Sequence, residues 1–343
     1  MGNLSNDKKS LAIITNSFTG GGAENAMLLL HSTLTVDFGC HLIALNSDGS
    51  DFQDISGAHV LNREWGSGIF GTISAYLSFQ RLLWQLSPRT LIVNCELPEL
   101  FVAMSPLRNK RIICVEHTSR PWLNRRRLGL MVRTILKLRK SEWVTVSNNN
   151  SDVWRASFPA THIPNPVSMP KLGNPNRAPN ALIAGRLISG KRPEWAISAT
   201  AKSQITLNVF GDGPLLNRMK QLAIDKNCKV KFHGYVSDFW RLVSHSDILL
   251  MPSAFEGDGI VVVEAILAGV QILVADNPDL RRFELPEECY CSSEDQMTEK
   301  LIRFKEGNDG SFYPPTGLKE RIRIEREIAS VSSKWIEYIN SRG

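Results

Sequence analysis

Residues 248–275 read ILLMPSAFEGDGIVVVEAILAGVQILVA, and this stretch decides the fold class. It opens with a short apolar run, Ile248–Met251, that is typical of a buried strand. A loop with Gly257 and Gly259 then leads into a helical segment at about 260–268, and the apolar residues 272–275 indicate a second strand. A strand, a crossover helix and a second strand in this order predict a parallel sheet.

The same alternation of strands and helices continues on both sides of this unit. Toward the N-terminus, strands are predicted at 181–184, 206–210 and 229–233, with helices near 193–203, 214–226 and 238–244. In the first half, strands are predicted at 11–16, 41–46, 91–95, 111–116 and 143–147, with helices at 23–35 and 72–86. Two such series predict an α/β protein with two Rossmann-like, doubly wound domains.

Prolines separate the two series. Five of them fall within residues 164–180, which therefore cannot form a regular element. We predict an N-terminal domain at 1–165, a proline-rich linker at 166–180 and a second domain at 181–315. Residues 316–343 have an amphipathic pattern that predicts C-terminal helices. We expect these helices to return toward the N-terminal domain. Because ligands bind beyond the carboxyl ends of such strands, we expect the domains to face a cleft.

The composition is that of a folded, water-soluble protein. Of the 343 residues, 43% are hydrophobic and 22% charged, which excludes disordered, collagen-like and coiled-coil chains. The six cysteines lack metal-site spacing, and no apolar run approaches the roughly 18–20 residues that a membrane-spanning helix needs. Residues 1–10 also lack the apolar core of a signal peptide. We therefore expect a cytoplasmic protein.

Two loops that follow predicted strands combine glycines or cations with a helix start. The loop Gly20-Gly21-Gly22 follows the first strand, and glycines let a ligand approach the backbone at a helix N-terminus. Gly185, Arg186 and Lys191 follow the strand at 181–184, where two cations suit a diphosphate whose negative charge grows as it leaves. A flexible turn and a solvated loop are the competing interpretations.

Two carboxylates follow the strand Ile248–Met251. Glu256 lies in the loop, and Glu264 lies in the helix among apolar neighbours, where an acid is costly unless it has a partner. Carboxylates accept hydrogen bonds from hydroxyl groups, and the helix N-terminus near Gly259 favours a phosphate. These features together indicate a nucleotide sugar.

Four motifs of this sequence together resemble those of the family 4 retaining glycosyltransferases of GT-B fold. They are Gly185-Arg186-Leu187-x3-Lys191, Gly211-x-Gly213-Pro214, Glu256-x7-Glu264 and the loop Gly20-Gly21-Gly22. The resemblance is strongest over residues 181–285. It implies that Glu256 contacts hydroxyls of the donor sugar, that Glu264 contacts the ribose, and that Arg186 and Lys191 hold the diphosphate.

The resemblance also implies further contacts to the donor. Backbone amides of Asp258, Gly259 and Ile260 would assist, Tyr235 and Val236 would meet the base through their backbone, and Gly21 and Gly22 would close over the phosphates. Gly185 and Gly213 belong to the same donor-binding set. His117, in Glu116-His117-Thr118, matches the histidine of the family's cleft, and a purely structural histidine is the competing interpretation.

Two positions depart from the family's pattern. Asp258 stands where a bulky apolar residue is usual, which puts the shape of the donor-sugar pocket in question, and Arg192 stands where glycine is common. The sequence contains no D-x-D motif, so we expect neither a metal ion nor another cofactor.

Residues 120–140 carry eight cations and no acid, interleaved with apolar residues. This pattern is typical of a helix at an anionic membrane surface. We predict that Arg125, Arg126, Arg127, Arg133 and Lys137 meet the membrane or the acceptor. A solvated face and nucleic-acid binding are the alternatives. Only Trp122 interrupts the run with an aromatic ring, so we expect no nucleic acid.

The net positive charge of the chain lies almost entirely in its first half. Residues 1–170 hold 17 basic and 12 acidic side chains, and this excess is nearly the whole net charge of +6.

The resulting hypothesis is a retaining glycosyltransferase, peripheral on the inner face of the plasma membrane. It would move a hexose or N-acetylhexosamine from a UDP- or GDP-linked donor to a lipid-linked saccharide in bacterial surface polysaccharide synthesis, such as O-antigen or lipopolysaccharide. A nucleotide-sugar epimerase of GT-B fold and a non-catalytic binder of nucleotide sugars or nucleic acid are the alternatives.

Overall fold

A computed structural model describes residues 10–18, 21–47, 55–64, 68–107, 109–118, 120–147, 157–173, 177–307 and 312–341. The chain forms two compact units, one comprising Met1–Pro166 with Ile328–Gly343 and the other Val167–Glu327. Gly20 and residues 174–176 of the predicted linker lie outside the described residues.

The first unit is built on a sheet of seven parallel strands. They are β1 (Ser10–Thr15), β2 (Gly39–Asn46), β3 (Ala58–Arg63), β4 (Thr90–Asn94), β5 (Arg111–Glu116), β6 (Glu142–Thr145) and β7 (Ala160–His162). Their order is β3-β2-β1-β4-β5-β6-β7. The order reverses direction next to β1, as in doubly wound sheets, where the loops at the carboxyl ends of the strands surround the ligand. The strands β3 and β7, which the sequence pattern does not predict, lie at the two edges.

In the described parts of this unit, four helices connect the strands: α1 (Gly22–Asp37), α2 (Ile69–Leu86), α3 (Glu96–Met104) and α4 (Arg126–Leu138). Helices α2, α3 and α4 pack on one face of the sheet, because Phe79, Phe101 and Val132 share one apolar cluster with residues of β1, β4 and β5. The outer faces of these three helices consequently point to the same side of the unit.

The second unit contains a sheet of six parallel strands. They are β8 (Ala181–Ala184), β9 (Leu207–Phe210), β10 (Val230–Gly234), β11 (Ile248–Met251), β12 (Gln271–Ala275) and β13 (Tyr290–Cys291). Their order is β10-β9-β8-β11-β12-β13. In β9, Leu207 and Val209 belong to the apolar cluster on one face, while Phe210 belongs to the cluster on the other. Burial on both faces explains why these strands are nearly continuous apolar runs.

The helices of the second unit are α5 (Pro193–Ser203), α6 (Leu216–Asp225), α7 (Ile260–Ala268), α8 (Pro278–Arg281), α9 (Glu294–Lys305) and α10 (Thr316–Arg326). One predicted helix is wrong: residues 238–244 contain only a 3-10 turn, Phe239–Leu242. The backbone becomes extended at Val243, and Asp247 accepts the backbone N–H of Ser244, which fixes a loop in place of a further helical turn.

The last helix, α11 (Ile328–Asn340), belongs to the first unit, whereas α10 belongs to the second. The expected C-terminal segment 316–343 is thus divided at Glu327. On α11, Ser332 Oγ donates to Thr33 Oγ1 of α1 at 2.8 Å. Arg111 of β5 donates to the carbonyl oxygens of Tyr338 and Ile339, so its cation meets the negative end of the helix.

The two parallel sheets with connecting helices confirm the predicted α/β class and the two Rossmann-like units. Among the described residues, no helix is both long and apolar enough to cross a membrane.

Candidate functional site

In the second unit, the loops that follow β8, β9 and β10 are in direct contact at the carboxyl edge of the sheet. The Gly185 N–H donates to Phe210 O at 2.9 Å, and the Gly211 N–H donates to Gly234 O at 2.7 Å. Gly211 has a φ of +129°, and a Cβ atom there would lie 2.0 Å from Gly185 O. Only glycine fits this position, because both the backbone conformation and the space exclude a side chain.

Arg186 lies at the rim of these loops with its side chain exposed. The next residue, Leu187, is buried and anchors the loop, because its N–H donates to Asp212 O at 2.8 Å and its carbonyl accepts from the Leu215 N–H at 3.1 Å. No ion pair joins Arg186 to another residue in the described parts of the chain. Gly213 lies in the same loop contact, since a Cβ atom there would be 2.5 Å from Leu187 O.

Lys191 and Glu256 form an ion pair at the carboxyl edge of the second sheet. Lys191 Nζ donates to Glu256 Oε1 at 2.5 Å, with the lysine side chain 31% exposed and the carboxylate 5% exposed. The Glu256 N–H donates to Asp279 Oδ2 at 2.9 Å, and the neighbouring Ala254 N–H donates to Gly190 O at 2.8 Å. The structure therefore brings the predicted phosphate-binding cation and the predicted sugar-binding carboxylate together.

The side chain of Asp258 is part of a buried ion cluster. Arg326 Nη1 of α10 donates to both of its carboxylate oxygens, at 2.9 and 2.8 Å, and Arg282 Nη2 lies 3.6 Å from Oδ1. Burial lowers the pKa of Arg282, and Asp258 opposes this effect. Asp258, whose role the sequence did not explain, thus has a structural partner in Arg326. Sequence spacing could not identify this partner because Arg326 lies on a distant helix.

Gly259 and Ile260 form the start of α7. Gly259 precedes the helix in the left-handed conformation, with a φ of +60°, and its carbonyl accepts the N–H groups of Val262 and Val263. Helix α7 is almost wholly buried and apolar apart from Glu264. The N-terminal amide groups of such a helix are suited to an anion.

Glu264 accepts a hydrogen bond from the indole Nε1 of Trp240 at 2.9 Å. Burial raises the pKa of Glu264 to about 7, and repulsion from Asp238 adds to this, while the Trp240 hydrogen bond opposes it. The carboxyl group can therefore either donate or accept hydrogen bonds near neutral pH. Glu264 therefore has the hydrogen-bond partner that a buried acid needs, and this partner is the neutral indole of Trp240.

Tyr235 and Val236 follow β10 beside the same loops. The Tyr235 side chain is 49% exposed, whereas Val236 packs against the apolar core of the unit. Phe210 stacks on His233 and Phe239 nearby, so three aromatic rings lie together at this end of the sheet.

In the first unit, Gly21 and Gly22 form the transition from the loop after β1 to α1. Gly21 is extended, with a φ of −172°, and its carbonyl accepts the Asn25 N–H at 3.1 Å to begin the helix. Gly22 is the first helical residue. The loop thus ends at a helix N-terminus, as the sequence indicates.

His117 follows β5 at the carboxyl edge of the first sheet. Asn165 Nδ2 lies 3.3 Å from His117 Nδ1, and an amide donor there leaves the ring proton of a neutral histidine on Nε2. Asn165 is 1% exposed. Sequence reasoning missed this residue because its contact with His117 spans 48 positions of the chain.

The basic segment divides into exposed and buried cations. Arg125, Arg126 and Arg127 are exposed at the start of α4, and Lys137 is exposed near its end, where its Nζ donates to Ser157 O. The prediction that Arg133 meets a membrane or acceptor is wrong, because its side chain is 2% exposed and lies under the helix.

Arg133 is the centre of a buried ion cluster within the first unit. It donates to Glu99 at 3.0 Å and to Glu116 at 2.8 Å, and Trp122 Nε1 also donates to Glu99 at 2.7 Å. Burial acts to lower the pKa of Arg133, but the two carboxylates outweigh it and raise that pKa. Burial raises the pKa of Glu99, partly offset by Arg133. A guanidinium shared by two carboxylates is a structural arrangement that ties α4 to α3 and β5.

The described residues contain no group of three or more His, Cys, Asp or Glu side chains that could hold a metal ion. The candidate residues form two separate sets, each at the carboxyl edge of the sheet of its own unit. The second unit supplies Arg186, Lys191, Glu256, Glu264 and the start of α7. The first unit supplies His117 and the Gly21–Gly22 turn.

Residues 165–311 match the family model described as "Glycosyl transferases group 1". The sequence search against curated proteins finds no significant match. Among solved structures, the fold resembles that of HepE from Anabaena, determined with UDP and glucose, with 15% identity, coverage of 96% of this chain and 99% of that one, and a TM-score of 0.80.

Sucrose-phosphate synthase from Thermosynechococcus elongatus is similar at 15% identity, 97% and 98% coverage and a TM-score of 0.78. The lipopolysaccharide outer core galactosyltransferase WaaB is similar at 18% identity, 97% and 99% coverage and a TM-score of 0.66. At these identities the comparisons show the fold, which is the GT-B arrangement of two Rossmann-like units found in glycosyltransferases.

Proposed function

We propose that the protein is a family 4 retaining glycosyltransferase that moves a hexose or N-acetylhexosamine from a nucleoside-diphosphate sugar to a lipid-linked saccharide. The observation that carries the proposal is the Lys191–Glu256 pair at the carboxyl edge of the second sheet, beside the exposed Arg186. A sugar diphosphate has anionic oxygens next to neutral hydroxyl groups, and this pair offers a cation next to a carboxylate.

In this proposal each group on the second unit meets one part of the donor. Arg186 and Lys191 bind the diphosphate, Glu256 accepts hydrogen bonds from sugar hydroxyls, and the amides at Asp258–Ile260 assist at the start of α7. Glu264 binds the ribose hydroxyls, for which a carboxyl group with a pKa of about 7 can accept and donate. The backbone at Tyr235 and Val236 meets a uracil or guanine base.

The transfer is proposed to occur on one face of the sugar. The bond between the anomeric carbon and the phosphate oxygen breaks, and the acceptor hydroxyl forms the new bond on the same side. The acceptor proton passes to the leaving phosphate oxygen, so no protein nucleophile is needed. Arg186 and Lys191 stabilise the charge that develops on the diphosphate, which is where an enzyme gains most from preorganised cations.

The first unit is proposed to bind the acceptor. His117, held by Asn165, would orient an acceptor or donor hydroxyl, and the Gly21–Gly22 turn would approach the donor phosphates. The exposed cations Arg125, Arg126, Arg127 and Lys137 suit an anionic lipid surface. A bacterial surface polysaccharide such as O-antigen or lipopolysaccharide is the proposed setting, with the protein on the inner face of the plasma membrane.

The decisive experiment is a panel of UDP- and GDP-sugars, scored by protection against thermal unfolding and then by transfer to a lipid-linked acceptor. A donor that binds raises the thermal midpoint, because it stabilises only the folded state. Arg186→Ala and Glu256→Gln should lower transfer by about 100-fold, the usual effect of removing one transition-state contact. Arg218→Ala is the matched control, since Arg218 is an exposed arginine on α6.

Equal transfer by both site variants and the wild type would contradict the assignment. Conversion of the donor to a rearranged sugar without acceptor would identify an epimerase. Protection by a nucleotide sugar without any turnover, over the full acceptor panel, would identify a binding protein.

A further inference from the structure

Helix α2 is apolar on the face that points away from its own sheet. Its inner face packs through Ala75, Phe79 and Leu83. On the outer face Phe70 is 89% exposed and Trp84 82% exposed, with Ile73 and Leu77 between them, both at least half exposed. Spacings of three, four and seven residues, the last equal to about two helical turns, align these four side chains along one side of the helix. A surface helix normally has one apolar face, which is buried, so this second, exposed apolar stripe requires an explanation.

The stripe continues across the neighbouring helices. Tyr76 of α2 donates its hydroxyl to Met104 O at the end of α3, and Met104 itself is 58% exposed. Arg139, just after α4, donates to Val102 O and Ser105 O of the same α3 end. On α4, Leu130, Met131 and Leu138 are exposed. The three helices therefore form one layer whose outer surface carries large apolar side chains.

The exposed charges of this layer are mostly positive. Residues 65–95 contain no acid, and on α3 Glu99 is buried and pairs with Arg133, which leaves Glu96 as the exposed acid of that helix, where it accepts the Trp122 N–H. The exposed cations are Arg81 on α2 and the set at Arg125–Arg127 and Lys137 around α4. An apolar surface flanked by cations matches the acyl chains and anionic headgroups of a lipid bilayer.

We propose that the outer face of α2 inserts into the interface of an anionic bilayer, with Phe70 and Trp84 as apolar anchors and α4 as the electrostatic contact. A second copy of the chain is a poorer occupant, because a two-fold contact through this layer would bring its cations against their own copies. The inference rests on the membrane location proposed above and extends it from α4 to α2. It does not depend on the catalytic assignment.

The test is sedimentation of the full chain with vesicles of phosphatidylglycerol and phosphatidylethanolamine at low salt and at about 1 M NaCl, where charges are screened beyond about 3 Å. The double variant Phe70→Ser/Trp84→Ser should bind about tenfold more weakly than the wild type at high salt, since it loses the apolar contact. Ile224→Ser is the matched control, because Ile224 is a 73% exposed residue of α6 in the second unit. Charge reversal at Arg125–Arg127 should weaken binding mainly at low salt.

Brominated lipids give a second readout that does not depend on the amount bound. Trp84 is the one exposed tryptophan within the described ranges, so quenching by these lipids should be largely lost in Trp84→Phe. Equal high-salt sedimentation of the double variant and the wild type would overturn the proposal. So would a vesicle-free dimer of the wild type that the double variant abolishes, which would make a second copy the occupant. Inactive donor-site variants that still sediment would affect only the catalytic proposal.

Discussion

At the scale of single residues, three acids between positions 256 and 264 have three different partners. Glu256 is paired with Lys191, Asp258 with Arg326, and Glu264 with the indole of Trp240. An arginine or lysine stabilises a charged carboxylate, whereas an indole offers only a neutral hydrogen bond against the cost of burial. Burial raises the pKa of Glu264 to about 7, because the indole hydrogen bond only partly opposes this effect.

The raised pKa of Glu264 predicts a pH-dependent stability. Between pH 4.5 and about 7 the folded protein retains a proton that the unfolded chain releases, so the free energy of unfolding falls as the pH rises through this window. The full effect is up to about 3 kcal/mol. Glu264→Gln cannot ionise, so its thermal midpoint should rise relative to the wild type by about 5–10 °C between pH 5 and pH 8.

The control for this prediction is Glu299→Gln, which changes an exposed glutamate of α9. Its midpoint should differ from the wild type by the same amount at both pH values. If Glu264→Gln behaves like Glu299→Gln, the carboxyl group is not held in its neutral form by the fold.

The position of a candidate side chain could be predicted from the sequence where it follows chain position, but not where it depends on tertiary contact. The glutamates and cations after β8 and β11 could be selected from sequence, because strand ends gather at one edge of a parallel sheet. Arg133 could not be separated from its basic neighbours, because its partners Glu99 and Glu116 come from other elements. Asn165 was missed for the same reason, since its contact to His117 spans 48 positions.

At the scale of elements, α4 is fixed to its unit by the contact of Gly129 with Trp122. A Cβ atom at Gly129 would lie 2.3 Å from Cγ of the buried Trp122 ring. Replacing a helical glycine by alanine normally stabilises a protein by up to about 1 kcal/mol. Here Gly129→Ala should instead destabilise it by about 1–3 kcal/mol, because the ring or the helix must move.

The comparison for Gly129 is Gly317→Ala in α10, where nothing lies within 4 Å of the added Cβ atom. Urea unfolding should show a small gain in stability for Gly317→Ala and a loss for Gly129→Ala. A gain for both would mean that α4 does not pack against Trp122 as closely as described.

The strands that sequence analysis missed are short or polar and lie at sheet edges. β3 includes His59, Asn62 and Arg63, β7 has only three residues, and β13 only two. An edge strand has one neighbour and can carry polar residues, so the apolar run that identifies a central strand is lacking. The central strands β4, β5, β8 and β11 were predicted close to their observed bounds. Both faces of these strands are buried, so their sequences are continuous apolar runs that can be recognised.

At the scale of the whole chain, the last helix completes the first unit. α11 buries Val331, Trp335 and Ile339, and its carbonyl end is held by Arg111 of β5, which also pairs with Glu142 of β6. The sequence indicated amphipathic C-terminal helices, but an amphipathic pattern does not specify which sheet receives the apolar face.

This arrangement predicts that truncation after Glu327 weakens the first unit selectively. Removing α11 exposes the part of α1 that it contacts and leaves Arg111 without the helix carbonyls, so hydrogen exchange in α1 should accelerate by at least about tenfold. Exchange in the strands of the second unit, such as β11 and β12, should be unchanged, because α11 belongs to the other unit. Arg111→Ala should give a smaller increase confined to the first unit, since the apolar contacts of α11 remain. Equal acceleration in both sheets would show that the two units unfold as one, and slow exchange in α1 of the truncated chain would show that the helix is dispensable.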